Sequence, residues 1–264
     1  MKISKPQRLL QKELIVFDLD GTLIRTKSPM DSQMSQLIGQ LLAAKKVAII
    51  GGGKYTVFQE LFIKRLKANN ELLKNLFLFP TTSTAFYKYN KGWKQVYSHQ
   101  LSRQEVTQIT KAFEDTFKEI GYKHPAKTYG KIIENRGTQV SFSVFGQDLV
   151  TALGNKGVRM KEQWLKNNLR LKMKIANLVQ KKLPKFSVKA AGFTTIDVTK
   201  KGIDKAYGVR QIQKHLKIPI AKMLFVGDAI FPGGNDYAAL KTGIDYVKVE
   251  GPEETKKIIG QLTR

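Results

Sequence analysis

Two carboxylates, Asp18 and Asp20, close the apolar run Leu14-Ile-Val-Phe and are followed at once by Gly21 and Thr22. A buried strand ending this way delivers charge to the carboxyl edge of a sheet, where α/β proteins gather their chemistry. Side chains alternate along a strand, so Asp18 and Asp20 are expected on one face. Two carboxylates that close repel unless a proton or cation lies between them. A hard divalent ion such as Mg²⁺ suits an all-oxygen donor set. An Asp-Gly turn at a strand end would explain residues 18–21 alone, but other strand ends add to them.

Val47-Ala-Ile-Ile50 runs into Gly51-Gly52-Gly53, whose backbone N–H groups can form an anion nest. Met223-Leu-Phe-Val226 runs into Gly227-Asp228, with Asn235-Asp236 just beyond. Lys205 opens a helical pattern over about 204–216. Together these features describe one site of carboxylates and a glycine turn, although Lys205 taken alone reads as a surface lysine opening a helix.

The elements that must position them alternate. Strands 14–18, 47–50 and 76–79 are separated by helical patterns near 31–44 and 54–69, which predicts a doubly wound parallel sheet. After residue 84 the pattern changes. A hairpin is expected around Asn90-Lys-Gly92. The capping box Ser102-x-x-Glu105 opens a helix with Val106, Ile109, Phe113 and Phe117 on one face. Alternating strands follow over 131–145, then a basic amphipathic helix over 159–183 and a strand at 193–198. The α/β pattern returns after Lys200, with strand 246–249 and a last helix opened by Pro252. The expected organisation is an α/β core from 1–84 and 199–264, carrying an inserted α+β domain at 85–198.

Composition sets limits. The 264 residues are 42% hydrophobic, enough for a globular protein. The chain has no cysteine, which excludes disulfides and thiolate metal sites and fits the cytoplasm. No apolar run nears the ~20 residues of a membrane span, so no membrane association is expected. Residues 1–13 show no signal-peptide pattern. The net charge of +25 invites a nucleic-acid reading. The excess is spread along the chain and Lys-rich, without a recognition motif, so no specific nucleic-acid function is expected.

Asp18-Leu-Asp20-Gly-Thr22, Lys205 and Gly227-Asp-Ala-Ile-Phe-Pro-Gly-Gly-Asn-Asp236 resemble the motifs of the haloacid dehalogenase superfamily of phosphotransferases. Ile132-Ile-Glu-Asn-Arg136, Thr194-Thr-Ile-Asp-Val198, Lys201-Gly-Ile-Asp-Lys205 and Pro232-Gly-Gly-Asn-Asp-Tyr237 narrow the resemblance to its eukaryotic-type phosphomannomutase branch. That branch belongs to subclass IIB, which carries an α/β cap inserted in a Rossmann-like core. The resemblance implies Asp18 as nucleophile, forming an aspartyl phosphate, and Asp20 as general acid/base. It implies Mg²⁺ held by Asp18, the Asp20 backbone carbonyl and Asp228. Lys205 would stabilise the transferring group, with Asn235 and Asp236 orienting the metal site. Arg136, Thr195 and Asp197 match cap residues that touch substrate, and the resembled mutases pair as homodimers through their caps.

Two departures bear on function. The hydroxyl usual after the second strand is replaced by Gly53, leaving the Gly52-Gly53 backbone, Lys54 or Thr56 to contact the phosphoryl group. Gln147 stands where a second cap arginine is expected, and the third falls near Gly154-Asn-Lys156. Lys131, Lys156 or Arg159 would have to supply the missing charge, and lysine lacks arginine's bidentate fork. The expected activity is therefore hydrolysis of a small phosphorylated metabolite, a sugar phosphate, with hexose-phosphate mutase as the alternative. A nucleic-acid-binding protein on a degenerate enzyme fold is a third, weaker reading.

Overall fold

The computed structural model describes residues 10–263. Residues 1–9, where most of the polar stretch at 1–13 falls, and Arg264 lie outside the described residues. The chain divides into two compact units, one formed by residues up to Ser98 together with Ile203 onward, the other by His99–Gly202.

The first unit is built on five parallel strands, β1 (Leu14–Asp18), β2 (Lys46–Ile50), β3 (Leu76–Phe79), β10 (Met223–Gly227) and β11 (Asp245–Lys248). The sheet order is β11-β10-β1-β2-β3, continued beyond β3 by β4 (Ala85–Tyr89) and β5 (Trp93–Ser98). Asp18 pairs with Ile50 across β1 and β2, and Phe17 with Val226 across β1 and β10. The β1 side chains are buried on both faces, which is why the strand reads as a continuous apolar run. Ile15 and Phe17 enter a core with Met34, Ile38 and Leu41 of helix α1 (Ser32–Ala44) and with Ile259 of the C-terminal helix Pro252–Leu262. Leu14 and Val16 enter the opposite core, with Val209 and Ile212 of the helix Lys205–Leu216. Asp31 caps α1 by accepting from the Met34 N–H.

The expected hairpin forms, as β4 (Ala85–Tyr89) and β5 (Trp93–Ser98), but it extends this sheet and does not begin the insert. β4 runs antiparallel to β3, pairing Phe77 with Lys88 and Leu78 with Tyr87. Phe86 stacks on Phe79 with ring centroids 4.4 Å apart. That buried aromatic contact draws the hairpin into the core, so the division falls after Ser98 rather than at 84/85, and before Ile203 rather than at 198/199. The continuous helix expected over 54–69 is also shorter, covering Tyr55–Leu61 as α2, followed by a tight turn at Ile63–Arg65. Phe62 and Leu66 still reach the core, through successive turns.

The second unit is a four-stranded antiparallel sheet, β6-β7-β9-β8. Its strands are β6 (Ile133–Asn135), β7 (Val140–Ser143), β8 (Phe186–Ala191) and β9 (Thr195–Lys200). Helices α3 (Arg103–Glu119) and α4 (Asn155–Lys182) share its core through Ile109, Phe113, Ile175 and Val179. The Ser102–Glu105 capping box closes in both directions. β8 was not anticipated from its sequence, because only Phe186 of Phe-Ser-Val-Lys-Ala-Ala is fully buried.

Candidate active site

The carboxyl edge of the first sheet gathers the charges. Asp18 ends β1, Asp228 follows β10, and Asp236 follows the Pro232-Gly-Gly loop. One carboxylate oxygen from each lies within 4.8 Å of the others. Lys205, first residue of helix α5 (Lys205–Leu216), is fully buried and its Nζ donates to Asp18 Oδ1 and Asp236 Oδ1. Asp204 caps α5 by accepting from the Tyr207 N–H, which fixes where Lys205 leaves the helix. Asp236 Oδ2 also accepts from the Ala229 N–H at 2.9 Å. Asp228 Oδ1 accepts from Thr22 Oγ1 at 3.1 Å.

Two glycines are required by this crowding. A Cβ on Gly21, at φ +88°, would lie 2.7 Å from Asp228 Oδ2. A Cβ on Gly227 would lie 2.4 Å from Asp236 Oδ2. Both distances are shorter than any real contact, so the backbone approaches the carboxylates as only glycine allows.

The electrostatics are unbalanced. Three carboxylates face one ammonium, leaving two negative charges in a largely buried place. At such separations each like-charge pair costs about 3 kcal/mol even at an effective dielectric of ~20. Burial accordingly pushes the Asp18 carboxyl well above its usual range, helped by Asp236 and Asp228 and opposed by Lys205. Asp228 is raised by burial and by Asp236. Burial pulls Lys205 down, but the two carboxylates outweigh it and hold the ammonium charged. One divalent cation would cancel the remaining charge, and the donors are all hard oxygens, so the residues present fit Mg²⁺.

The other anticipated residues divide. Asp20 is half-buried, and its Oδ1 accepts from the Lys27 N–H at 2.7 Å, so its carboxylate stands apart from the three-carboxylate group. Asp236, anticipated outside the metal-binding set, joins that group instead. Asn235 is exposed, while Gly52 and Gly53 are half-buried beyond β2. Thr22, the hydroxyl that follows the paired carboxylates in the sequence, joins the site through Asp228.

Within the second unit, Arg136, Thr195 and Asp197 lie on or beside the sheet. Arg136 Nε donates to Glu134 Oε2 at 2.8 Å, and its Nη2 donates to Gln147 Oε1 at 2.9 Å. Gln147 Nε2 donates to the Ser141 carbonyl, and Ser141 Oγ to Asp197 Oδ1 at 2.6 Å. Thr195 Oγ1 donates to the Ala191 carbonyl. Lys172 Nζ donates to the Ala191 and Gly192 carbonyls, and burial pulls it down to about 8 against the pull of Asp197. Lys131, Lys156 and Arg159 are exposed. Ser141 and Lys172 were not anticipated, because their partners lie on other strands; Glu134 was not, although its partner Arg136 is only two residues away.

A doubly wound sheet with paired carboxylates after β1, acidic residues after β10 and a buried lysine defines a phosphoryl-transfer type of site. Residues 15–246 match the family described as haloacid dehalogenase-like hydrolase, and the chain belongs to that family. It is 25% identical to a phosphomannomutase of Encephalitozoon cuniculi over 96% of this chain and 94% of that protein. It is 23% identical to phosphomannomutase 1 of Homo sapiens over 89% of this chain and 85% of that protein. Its fold is similar to that of an IMP-bound, N-terminally truncated IMP-nucleotidase from Plasmodium falciparum, with a TM-score of 0.70 and 18% identity. That similarity covers 97% of this chain and 70% of the other. A trehalose-6-phosphate phosphatase from Aspergillus fumigatus gives a TM-score of 0.53 at 17% identity, covering 98% of this chain and 97% of the other. Among the described residues no helix is long and apolar enough to cross a membrane.

Proposed function

We propose that the protein is a Mg²⁺-dependent phosphohydrolase of a small phosphorylated metabolite, a sugar phosphate, acting through an aspartyl phosphate on Asp18. The observation that carries this reading is the unbalanced cluster of Asp18, Asp228 and Asp236 around buried Lys205. Asp18, Asp228 and the Asp20 backbone carbonyl would hold Mg²⁺, which would supply Lewis-acid charge beside the phosphoryl oxygens. Asp236 would keep Lys205 and the metal-binding carboxylates aligned, with Asn235 beside it in the same loop.

In the first step an Asp18 carboxylate oxygen forms a bond to phosphorus while the ester P–O bond breaks. Asp20 gives its proton to the leaving oxygen. In the second step water attacks phosphorus, Asp20 takes the water proton, and Asp18 is released with inorganic phosphate. Lys205 offsets negative charge on Asp18 and the transferring group. The Lys27 N–H holds the Asp20 carboxylate in one orientation between the steps. The 99–202 unit would serve as the cap, and the lack of cysteine suits a cytoplasmic enzyme.

A second reading, hexose-phosphate mutase, is favoured by the full-length likeness to phosphomannomutases. It ranks below hydrolysis because Arg136 is already engaged by Glu134 and Gln147, so its charge is spent within the unit. A mutase needs strong grips on a second phosphate. Phosphate release from a panel of hexose phosphates and nucleoside monophosphates tests the proposal. Turnover should require Mg²⁺ and should fall at least about 1,000-fold in Asp18→Asn, the scale expected when a covalent nucleophile is removed. Near-normal turnover in Asp18→Asn would refute the covalent route.

A further inference from the structure

The turn that follows β3 is unusual. Over Pro80–Ser83 the backbone turns left-handed: Thr81 has φ/ψ of 47°/47°, Thr82 56°/44°, and Ser83 a φ of 72°. Three successive non-glycine residues in this region are disfavoured, most of all the β-branched threonines. Such strain persists only where the surroundings enforce it, and it clusters at functional sites.

The enforcing contacts lead to the glycine turn. Thr81 N–H donates to the Gly53 carbonyl at 2.8 Å, and Thr82 N–H to the Gly51 carbonyl at 2.9 Å. Gly51 directly follows Ile50, the residue paired with Asp18. The strained turn is therefore fastened onto the loop that lacks its expected hydroxyl. From the other side, Ser83 presses on α5 one turn beyond Lys205. A Cβ on Gly208 would lie 2.2 Å from Ser83 Oγ.

The turn offers four hydroxyls. Those of Thr81 and Thr84 bond to each other. Ser83 Oγ is buried without a partner among the described residues, closed off against Gly208 and Ile50. Thr82 is the one residue of the four that is not fully buried. We propose that Thr82 supplies the hydroxyl that contacts the transferring phosphoryl group, in place of the one missing at Gly53. This assignment rests on the phosphohydrolase reading above. Gly53 itself has an ordinary φ, and a Cβ there would meet Val57 Cγ1 at 3.0 Å. Val57 thus fills the room in which a side chain at 53 would sit, and the neighbouring strand provides the contact.

The test is orthovanadate affinity in the presence of Mg²⁺, with steady-state hydrolysis alongside. Thr82→Val keeps shape and removes the hydroxyl, and Thr82→Ser keeps the hydroxyl. The expected result is a 10- to 100-fold loss of vanadate affinity and of kcat/KM in Thr82→Val, the scale of one hydrogen bond to a charged group. Thr82→Ser should stay within threefold of the parent. If Thr82→Val melts early, Thr82→Gly replaces it, since glycine removes the hydroxyl and relieves the left-handed strain together. Vanadate affinity within twofold of the parent in a folded variant lacking the hydroxyl would overturn the proposal. Equal losses in Thr82→Ser and Thr82→Val would also overturn it, because the hydroxyl would then be irrelevant. Asp18→Asn separates the two claims: if it abolishes turnover while Thr82→Val keeps kcat/KM and vanadate affinity within twofold of the parent, only the Thr82 assignment fails.

Discussion

The two units each hold a buried group of charged and amide side chains, and the two groups differ in kind. In the first unit, three carboxylates share one ammonium, and the excess charge meets no second cation among the described residues. In the second, Arg136 meets Glu134 through Nε and Gln147 through Nη2, and Lys172 caps two carbonyls near Asp197. A balanced network asks nothing of a ligand. An unbalanced one requires a cation and favours groups that bring one. Both groups contain family-matching residues, but only the first leaves like charges unbalanced among the described residues.

Lys205→Met should produce the largest effect. Among the described residues it removes the one cation that pairs with the cluster, so three carboxylates would face each other without a counter-charge. Breaking a buried pair this way costs about 3–5 kcal/mol, and hydrolysis should be undetectable. Urea unfolding with phosphate assays checks both. A variant as stable as the parent would mean that the carboxylates are not mutually dependent.

Asp228→Ala should raise the Mg²⁺ concentration for half-maximal activity by about 10-fold or more, since a hard oxygen ligand is lost. A magnesium titration decides this, and an unchanged midpoint would remove Asp228 from the metal site. The balanced group should respond differently. Gln147→Leu strands a donor of Arg136 and should cost the second unit about 1–3 kcal/mol, while hydrolysis at saturating substrate changes less than threefold. Equal damage to turnover would mean that the second network also serves the reaction step.

The smallest effect concerns pH. Lys172 is buried and titrates near 8 in the folded protein, against 10.5 when exposed. Between those values the unfolded chain holds a proton that the folded chain has released, so stability contributed by this site rises with pH. The penalty of burying the charge is fully present below pH ~8 and is relieved toward pH ~10.5, by up to about 3 kcal/mol. Urea midpoints of the parent and Lys172→Met, taken at pH 7.5 and 9, should converge or diverge with that sign: the parent gains relative to the variant as pH rises.

Much of the first unit was legible because one physical signal dominates there. Strands buried on both faces read as apolar runs, and β1, β2 and β10 run into glycine or carboxylate where the sheet stops. The hairpin was legible as a hairpin but not as part of that sheet, since the deciding contact, Phe86 on Phe79, joins residues whose pairing no local pattern reveals. β8 escaped because its one buried side chain leaves no alternation. Asp18, Asp228 and Lys205 stood out by position. The inclusion of Asp236 in the carboxylate group and the Lys27 N–H contact of Asp20 did not, because each depends on a backbone N–H supplied from elsewhere, Ala229 and Lys27. The Glu134–Arg136–Gln147 bracket is visible only when β6 and the segment after β7 are set side by side.

The central claim is that the phosphoryl group passes to water more readily than to a second sugar hydroxyl. Incubation with mannose 1-phosphate and Mg²⁺, with and without a hexose bisphosphate activator, measures both fates at once. Free phosphate should accumulate faster than mannose 6-phosphate under both conditions. Efficient interconversion of mannose 1- and 6-phosphate with little phosphate released would contradict the account and establish the mutase.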